Sequence, residues 1–331
     1  MPDLQFSLVL VIFLAVVFDF LNGFHDAANA IATSVSTRVL SPRQAIIMSA
    51  ALNLLGAMTG TAVAKTIGSG IVENTSVTQQ TIVAALLSAI IWNIITWYLA
   101  LPTSSSHALI ASVVGAGIAT SGSVKIIKWS GIEKVLIGLI FSPLVGFVAG
   151  LAIMVGLMWL LRKNAPSTVT RRFKKWQIVS AAFMAYSHGS NDAQKTMGII
   201  TMALIAAGKL NTFMVPLWVV IICGIAMAAG TAGGGWRIIK TLGMKLAHLK
   251  PVHGFAAESA AATVIEVASR IGLPVSTTHV ISSSIMGVGA SKRFSAVKWG
   301  VGGNIVMAWF LTLPVCAGLA WCICSLIIRF F

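Results

Sequence analysis

Runs of about twenty apolar residues with almost no charge in them leave a chain few ways to fold, and residues 44–63, 79–101 and 211–232 are runs of this kind. A helix of that length crosses a hydrocarbon core of about 30 Å, where every backbone N–H and C=O must be satisfied within the chain. A β-barrel would instead show short segments alternating apolar and polar residues, and these runs do not alternate. Only 9% of the residues are charged, against roughly 25% in a soluble domain. The expected class is an all-α integral membrane protein.

Charge then orients the chain. The net charge of +15 is spread over short segments between apolar runs, not gathered on one face, which speaks for the positive-inside rule and against nucleic acid as a partner. The densest cluster, Arg162, Lys163, Arg171, Arg172, Lys174 and Lys175, contains no acidic residue. Residues 162–175 therefore read as a basic cytoplasmic linker between a first membrane repeat, 1–161, and a second, 176–331. Cys223, Cys316, Cys322 and Cys324 lie in apolar spans without metal-type spacing and read as packing or lipid-facing residues. The first segment lacks a basic n-region and a small-residue cleavage site, so it is expected to be retained as a span. The expectation is a multi-pass membrane protein with an external N-terminus.

The division into two repeats rests on internal similarity. Asn22-Gly-Phe-His-Asp-Ala-Ala-Asn29 returns 166 residues later as His188-Gly-Ser-Asn-Asp-Ala-Gln-Lys195. Gly23, Asp26 and Ala27 match Gly189, Asp192 and Ala193, while histidine and asparagine exchange places at the flanking positions. Pro102-Thr-Ser-Ser-Ser-His107 returns as Pro274-Val-Ser-Thr-Thr-His279, and Gly60-Thr61, Lys65-Thr66 and Lys128-Trp129 have partners at Gly230-Thr231, Lys240-Thr241 and Lys298-Trp299. Features repeated in one order at nearly one offset mark a structural unit used twice. The stretch after Thr231 carries Arg237, Lys240, Lys245 and Lys250 without an acid, whereas its counterpart sets Lys65 against Glu73 ahead of a Thr/Ser/Gln-rich turn. Equivalent segments on opposite sides of a membrane mean an inverted repeat. The crossing of residues 102–161, broken by Pro143, is either a re-entrant hairpin followed by a broken helix or two plain crossings.

Five of the eight acidic residues, Asp19, Asp26, Asp192, Glu258 and Glu266, fall in apolar segments, where a carboxylate costs several kcal/mol unless it faces a cavity or a partner. Asp19 and Glu266 have no duplicate and read as interface or helix-end carboxylates. Asp26 and Asp192 are duplicated and read as a cation site: the Asn-Gly and Gly-Ser-Asn sequences are poor helix interiors and are expected to unwind, which would free carbonyls to join the carboxylates around Na⁺, while an aspartate alone would carry H⁺. Pro102 and Pro274 precede hydroxyl runs, so Thr103, Ser104, Ser105 and Ser106, and Ser276, Thr277 and Thr278, read as helix N-termini, an anion site needing no basic side chain. His25, His188, His107 and His279 are supporting residues, with packing the commoner role for the last two. Lys195 stands where the first copy has Asn29 and is open to pairing with an anion, pairing with an aspartate, or snorkelling. A carboxylate about 4 Å from an anion is repelled by about 4 kcal/mol at an effective dielectric near 20, so anion and cation must bind together, which makes a symporter.

The two aspartate stretches and the two Pro-Ser/Thr-His runs together resemble the signature of the inorganic phosphate transporter (PiT) family, over nearly the whole chain. That resemblance implies import of inorganic phosphate with Na⁺ or H⁺ by alternating access, through two inverted repeats whose broken helices and helical hairpins meet at the bilayer middle. It implies coupling ions at Asp26 and Asp192 helped by Asn22, Asn29 and Asn191, and phosphate at the two hydroxyl runs. Gly254-Phe-Ala-Ala-Glu258 is similar to a family segment and brings Glu258 into the site. His25 departs from the asparagine common at its position. The partners implied are phosphate, Na⁺ or H⁺ and lipid, with no cofactor beyond the coupling ion; homodimerisation is left open. The competing readings are a permease of the same fold for another oxyanion such as sulfate, a passive anion channel, and, more remotely, an intramembrane aspartyl protease, against which stand Asn191 in its motif and the idle hydroxyl runs. No Gly-x-Ser-x-Gly motif supports a serine hydrolase.

Overall fold

The computed structural model describes residues 2–73 and 77–330; the Thr/Ser/Gln-rich turn expected after Glu73 lies largely outside them. In the first half, α1 (Pro2–Ser36), α2 (Pro42–Ala57), α3 (Ala62–Gly70), α4 (Gln79–Tyr98), α5 (Ser105–Ser121) and α6 (Trp129–Leu160) follow one another. The second half repeats the order with α7 (Pro166–Ala206), α8 (Leu217–Gly233), α9 (Trp236–Lys240), α10 (Pro251–Arg270), α11 (Thr277–Lys292) and α12 (Trp299–Phe330). Minor features repeat too: an isolated antiparallel bridge joins Val72 to Ile127 in one half and Ala247 to Val297 in the other.

Local chemistry explains where many helices begin. Ser41 caps α2 in a reciprocal box with Gln44, with Pro42 in the first turn, and Thr78 caps α4 with Thr81, so donors that an unbonded helix start would leave orphaned are satisfied. Among the described residues four helical segments, Gln5–Ser36, Gln79–Tyr98, Trp129–Leu160 and Trp299–Phe330, are long and apolar enough to cross a membrane, and six if the bent pairs α2–α3 and α8–α9 each count as one.

Three expectations are corrected here. The aspartate stretches do not unwind: α1 and α7 are helical throughout them, which keeps the backbone bonded inside an apolar interior. Their glycines serve close packing instead. A Cβ on Gly23 would lie 2.2 Å from the Met227 carbonyl oxygen of α8, and one on Gly189 2.2 Å from that of Asn53 in α2. The helix breaks fall elsewhere, between α2 and α3 (67°) and between α8 and α9 (61°), so the run 44–63 is not a straight span, whereas 211–232 stops short of its break and is helical from Leu217. Nor does Pro143 break α6, or Pro314 break α12. Of the basic segment 162–175, Arg171, Arg172, Lys174 and Lys175 lie on the first turns of α7.

The halves interlock. Helix α5 of the first half packs on α12 of the second and α11 on α6, while α1 packs on α8 and α7 on α2. Each of the two apolar cores draws residues from both halves, Leu109 with Ile200 in one and Ile31 with Ile285 in the other. Two hairpins, α4–α5 and α10–α11, turn back with Pro102 and Pro274 buried next to the starts of α5 and α11. The outer faces of α6 and α12 expose large apolar side chains such as Phe141, Leu144, Phe310 and Leu311, the pattern of lipid-facing helices.

Candidate functional site

Uninterrupted helix through both aspartate stretches puts residues three and four apart on one face, and that face is turned inward in α1 and α7. Asn22, His25, Asp26 and Asn29, and His188, Asn191, Asp192 and Lys195, are all no more than 2% exposed. The hairpins supply the facing surface. Ser104 caps α5 by accepting from the His107 N–H, and Ser276 caps α11 by accepting from the His279 N–H, each at 3.2 Å. Both starts point into the protein, with Thr103, Ser105 and Ser106 and Thr277 and Thr278 also buried. Ser106 donates to the Val275 carbonyl, and the His107 and His279 rings meet edge to face at 4.4 Å, so the two N-termini adjoin. His279 also stacks on Trp309 at 3.8 Å, a packing role.

The start of α11 is the hub. Thr277 donates to Asp192 Oδ2 at 3.0 Å, Thr278 reaches Asp26 Oδ1 at 3.4 Å, and the Asn29 amide donates to both hydroxyls at 3.2 and 2.9 Å. Ligand atoms of Asp26, His188 and Asp192 lie within 4.8 Å of one another. His25 holds Asp26 through Nδ1 at 2.7 Å and touches the Thr96 hydroxyl with Nε2 at 3.1 Å. His188 faces Asp192 with Nε2 at 3.4 Å and Asn53 with Nδ1. Lys195, 1% exposed, donates to Asp192 Oδ1 at 2.5 Å, so it neither snorkels nor stands alone. Asn191, with its amide turned to satisfy both ends, donates to Asp192 and the Val275 carbonyl and accepts from Ser269.

Polar atoms left without a hydrogen-bond partner mark where a ligand would complete the site. They include both side-chain ends of Asn22, the Asn29 oxygen, the Thr103 and Ser105 hydroxyls and both His107 ring nitrogens. Hard oxygens beside a carboxylate suit a small cation, and hydroxyls at a helix start suit an anion.

Glu258 is not brought to this cluster. It is fully buried, but its carboxylate accepts from Thr33, Gln177 and Ser180, about two helical turns along α1 and three along α7 from the aspartates. Conversely, Asp19 is no interface carboxylate: it is wholly buried beside Asn22 and Thr196. Its spacing from Asn22 and Asp26, on one helix face, is the signal that marks it. Glu266 does sit at a helix end, paired with exposed Arg270.

The fold closely follows a solved structure titled "The sodium-dependent phosphate transporter", with a TM-score of 0.87 and 24% identity over 98% of this chain and 100% of that one. Two curated relatives, from Rhizobium meliloti (strain 1021) and Bacillus subtilis (strain 168), are each 49% identical over 94% of this chain and 93% and 94% of their own lengths. Both are named "Probable low-affinity inorganic phosphate transporter", a transport role and not catalysis, which sets the aspartyl-protease reading aside. The phosphate transporter family matches residues 22–170 and again 161–320, and with the duplicated site now seen to converge at one place, the chain belongs to that family.

Proposed function

We propose that the protein is a symporter that imports inorganic phosphate with Na⁺ or H⁺ across a prokaryotic cell membrane by alternating access. The observation that carries this is the meeting of Asp26 and Asp192 at the start of α11, with ligand atoms inside 4.8 Å. Lys195 on Asp192 offsets one of these charges, which leaves the Asp26 carboxylate to repel an incoming phosphate by about 4 kcal/mol at about 4 Å and an effective dielectric near 20. A cation among them converts repulsion into cooperative binding. The same hydroxyls, Thr277 and Thr278, serve both charges: they donate to the aspartates and lie at the positive end of a helix, where an anion is favoured.

In this reading phosphate sits between the starts of α5 and α11, held by Thr103, Ser104, Ser105, Ser106, Ser276, Thr277 and Thr278, and Asn22, Asn29 and Asn191 help hold the coupling ions. His25, His188, His107 and His279 support them. Two inverted repeats, supported by the matched element order and interlocked packing, would let the same seat face either side in turn. The neighbour's title supports Na⁺ as the driving ion, and the basic start of α7 supports a cytoplasmic middle segment and an external N-terminus.

The test is uptake of labelled phosphate by proteoliposomes under a Na⁺ gradient, a pH gradient or neither, with sulfate as competitor. Accumulation is expected under one gradient and not in its absence, with sulfate a weak competitor. Uptake indifferent to both gradients would overturn symport, and sulfate competing as well as phosphate would overturn the selectivity.

A further inference from the structure

The two aspartates are not equivalent, and the difference lies three residues further along each helix. Asn29 and Lys195 occupy matching positions. The Asn29 amide bonds to Thr277 and Thr278, whereas the Lys195 ammonium bonds directly to Asp192. Lys195 is among the largest fully buried side chains in the protein. A charge buried that deeply costs several kcal/mol unless it is paired, and Asp192 has the same need, which their contact meets on both sides. Asp26 has no such partner: among the described residues no lysine or arginine bonds to it, and its contacts are His25 and Thr278. Around it the Asn22 amide and the Asn29 oxygen are unpartnered and buried, as uncharged oxygen ligands are before an ion arrives.

We propose that Lys195 is a tethered cation that takes the place of one coupling ion, so that this protein binds a single exchangeable monovalent cation, at Asp26. The ammonium supplies permanently, at Asp192, the positive charge that a bound ion supplies at Asp26. This inference rests on the symport reading and concerns only how many cations move.

The experiment counts cations on the full-length protein in liposomes. The cation-to-phosphate ratio is obtained from the membrane potential at which net uptake stops, using whichever gradient drives the wild type. The wild type is expected to move one cation per phosphate, and Lys195→Asn, which copies Asn29, one more. Wild-type uptake driven by a gradient at two cations per phosphate would overturn this inference while leaving symport standing; uptake indifferent to gradients would sink symport itself. Should Lys195→Asn not transport, binding decides: the driving cation is counted as radiolabelled sodium bound, or as protons taken up with phosphate in weak buffer. Binding lost in Asp26→Asn and kept in the double variant Asp192→Asn/Lys195→Asn is expected, and the reverse pattern overturns the proposal.

Discussion

The two hairpin tips, related by the repeat, differ sharply in access. Where α10 turns beside α7 and the α2–α3 break, a cavity of 240 Å³ is lined by Thr59, Tyr186, Ser190, Gln194, Glu266 and Ser269, among others. Through Ser269 it borders Asn191 and so the Asp192 side of the cluster. The equivalent place beside α1 and α4 keeps only 20 Å³, lined by Leu21, Phe24, His25, Asn93, Ile94 and Trp97. At the repeat's own offsets Ser190 corresponds to Phe24, Glu266 to Ile94, and Ser269 to Trp97. The Phe24 and Trp97 rings meet at 5.3 Å, and Arg237 covers Trp97 and Tyr98 at 5.0 Å from each ring while donating to the Tyr98 carbonyl. One backbone plan therefore carries a polar opening on one side and an aromatic plug on the other. The lesson is that a shared backbone plan leaves it to side-chain volume at a few matched positions which of the two places stays open.

That contrast can be attacked from both sides. Ser190→Phe, which writes Phe24 into the open cleft, should abolish most phosphate uptake in proteoliposomes while the protein still inserts and elutes as the wild type does; each 1.4 kcal/mol added to the transport barrier costs about tenfold in rate. Normal uptake would show that the cavity is no route to Asp192. Removing the plug is expected to do less to uptake and more to stability. Trp97→Ala should cost about 1–3 kcal/mol, since the ring is half-buried and most single changes fall in that range, and should open Asn93→Cys, introduced beside it, to a membrane-impermeant thiol reagent. If that cysteine stays as unreactive as in the Trp97 background, the aromatic pair is not what closes this side. Arg237→Gln is the mildest change, removing two cation–π contacts worth about 0.5–1 kcal/mol each. It should lower the thermal midpoint slightly and raise the same labelling rate less than Trp97→Ala does; labelling equal to the Trp97 variant would make Arg237, not the rings, the latch.

Much of the site is legible in the order of the residues. A duplicated aspartate in greasy surroundings and a duplicated Pro-Ser/Thr-His run are local signals, and the capping of α5 and α11 by Ser104 and Ser276 follows from hydroxyl chemistry at a helix start. Other features depart from what local chemistry leads one to expect, and the reasons are physical. Gly23 and Gly189 have poor helix propensity, yet a membrane interior penalises an unbonded backbone more than glycine penalises a helix, so both stretches stay helical and the small residue is spent on close approach to α8 and α2. Pro143 and Pro314 are tolerated within long helices, as such prolines are in membranes. Hydropathy does not distinguish Asp19 from an interface carboxylate, because it reports the segment and not the face that a residue presents.

Some properties needed no partner segment: spans, polarity, duplication and helix starts depend on residue order and on groups a few positions apart, and these set the class, the family resemblance and the candidate residues. Pairing is different in kind. That Lys195 would turn to Asp192, that Glu258 would be absorbed by Thr33, Gln177 and Ser180, and that Phe24 would close against Trp97 depended on which helices lie side by side. Those neighbours come from interlocked packing of the two halves, and a buried charge or ring takes whatever partner that packing brings within reach.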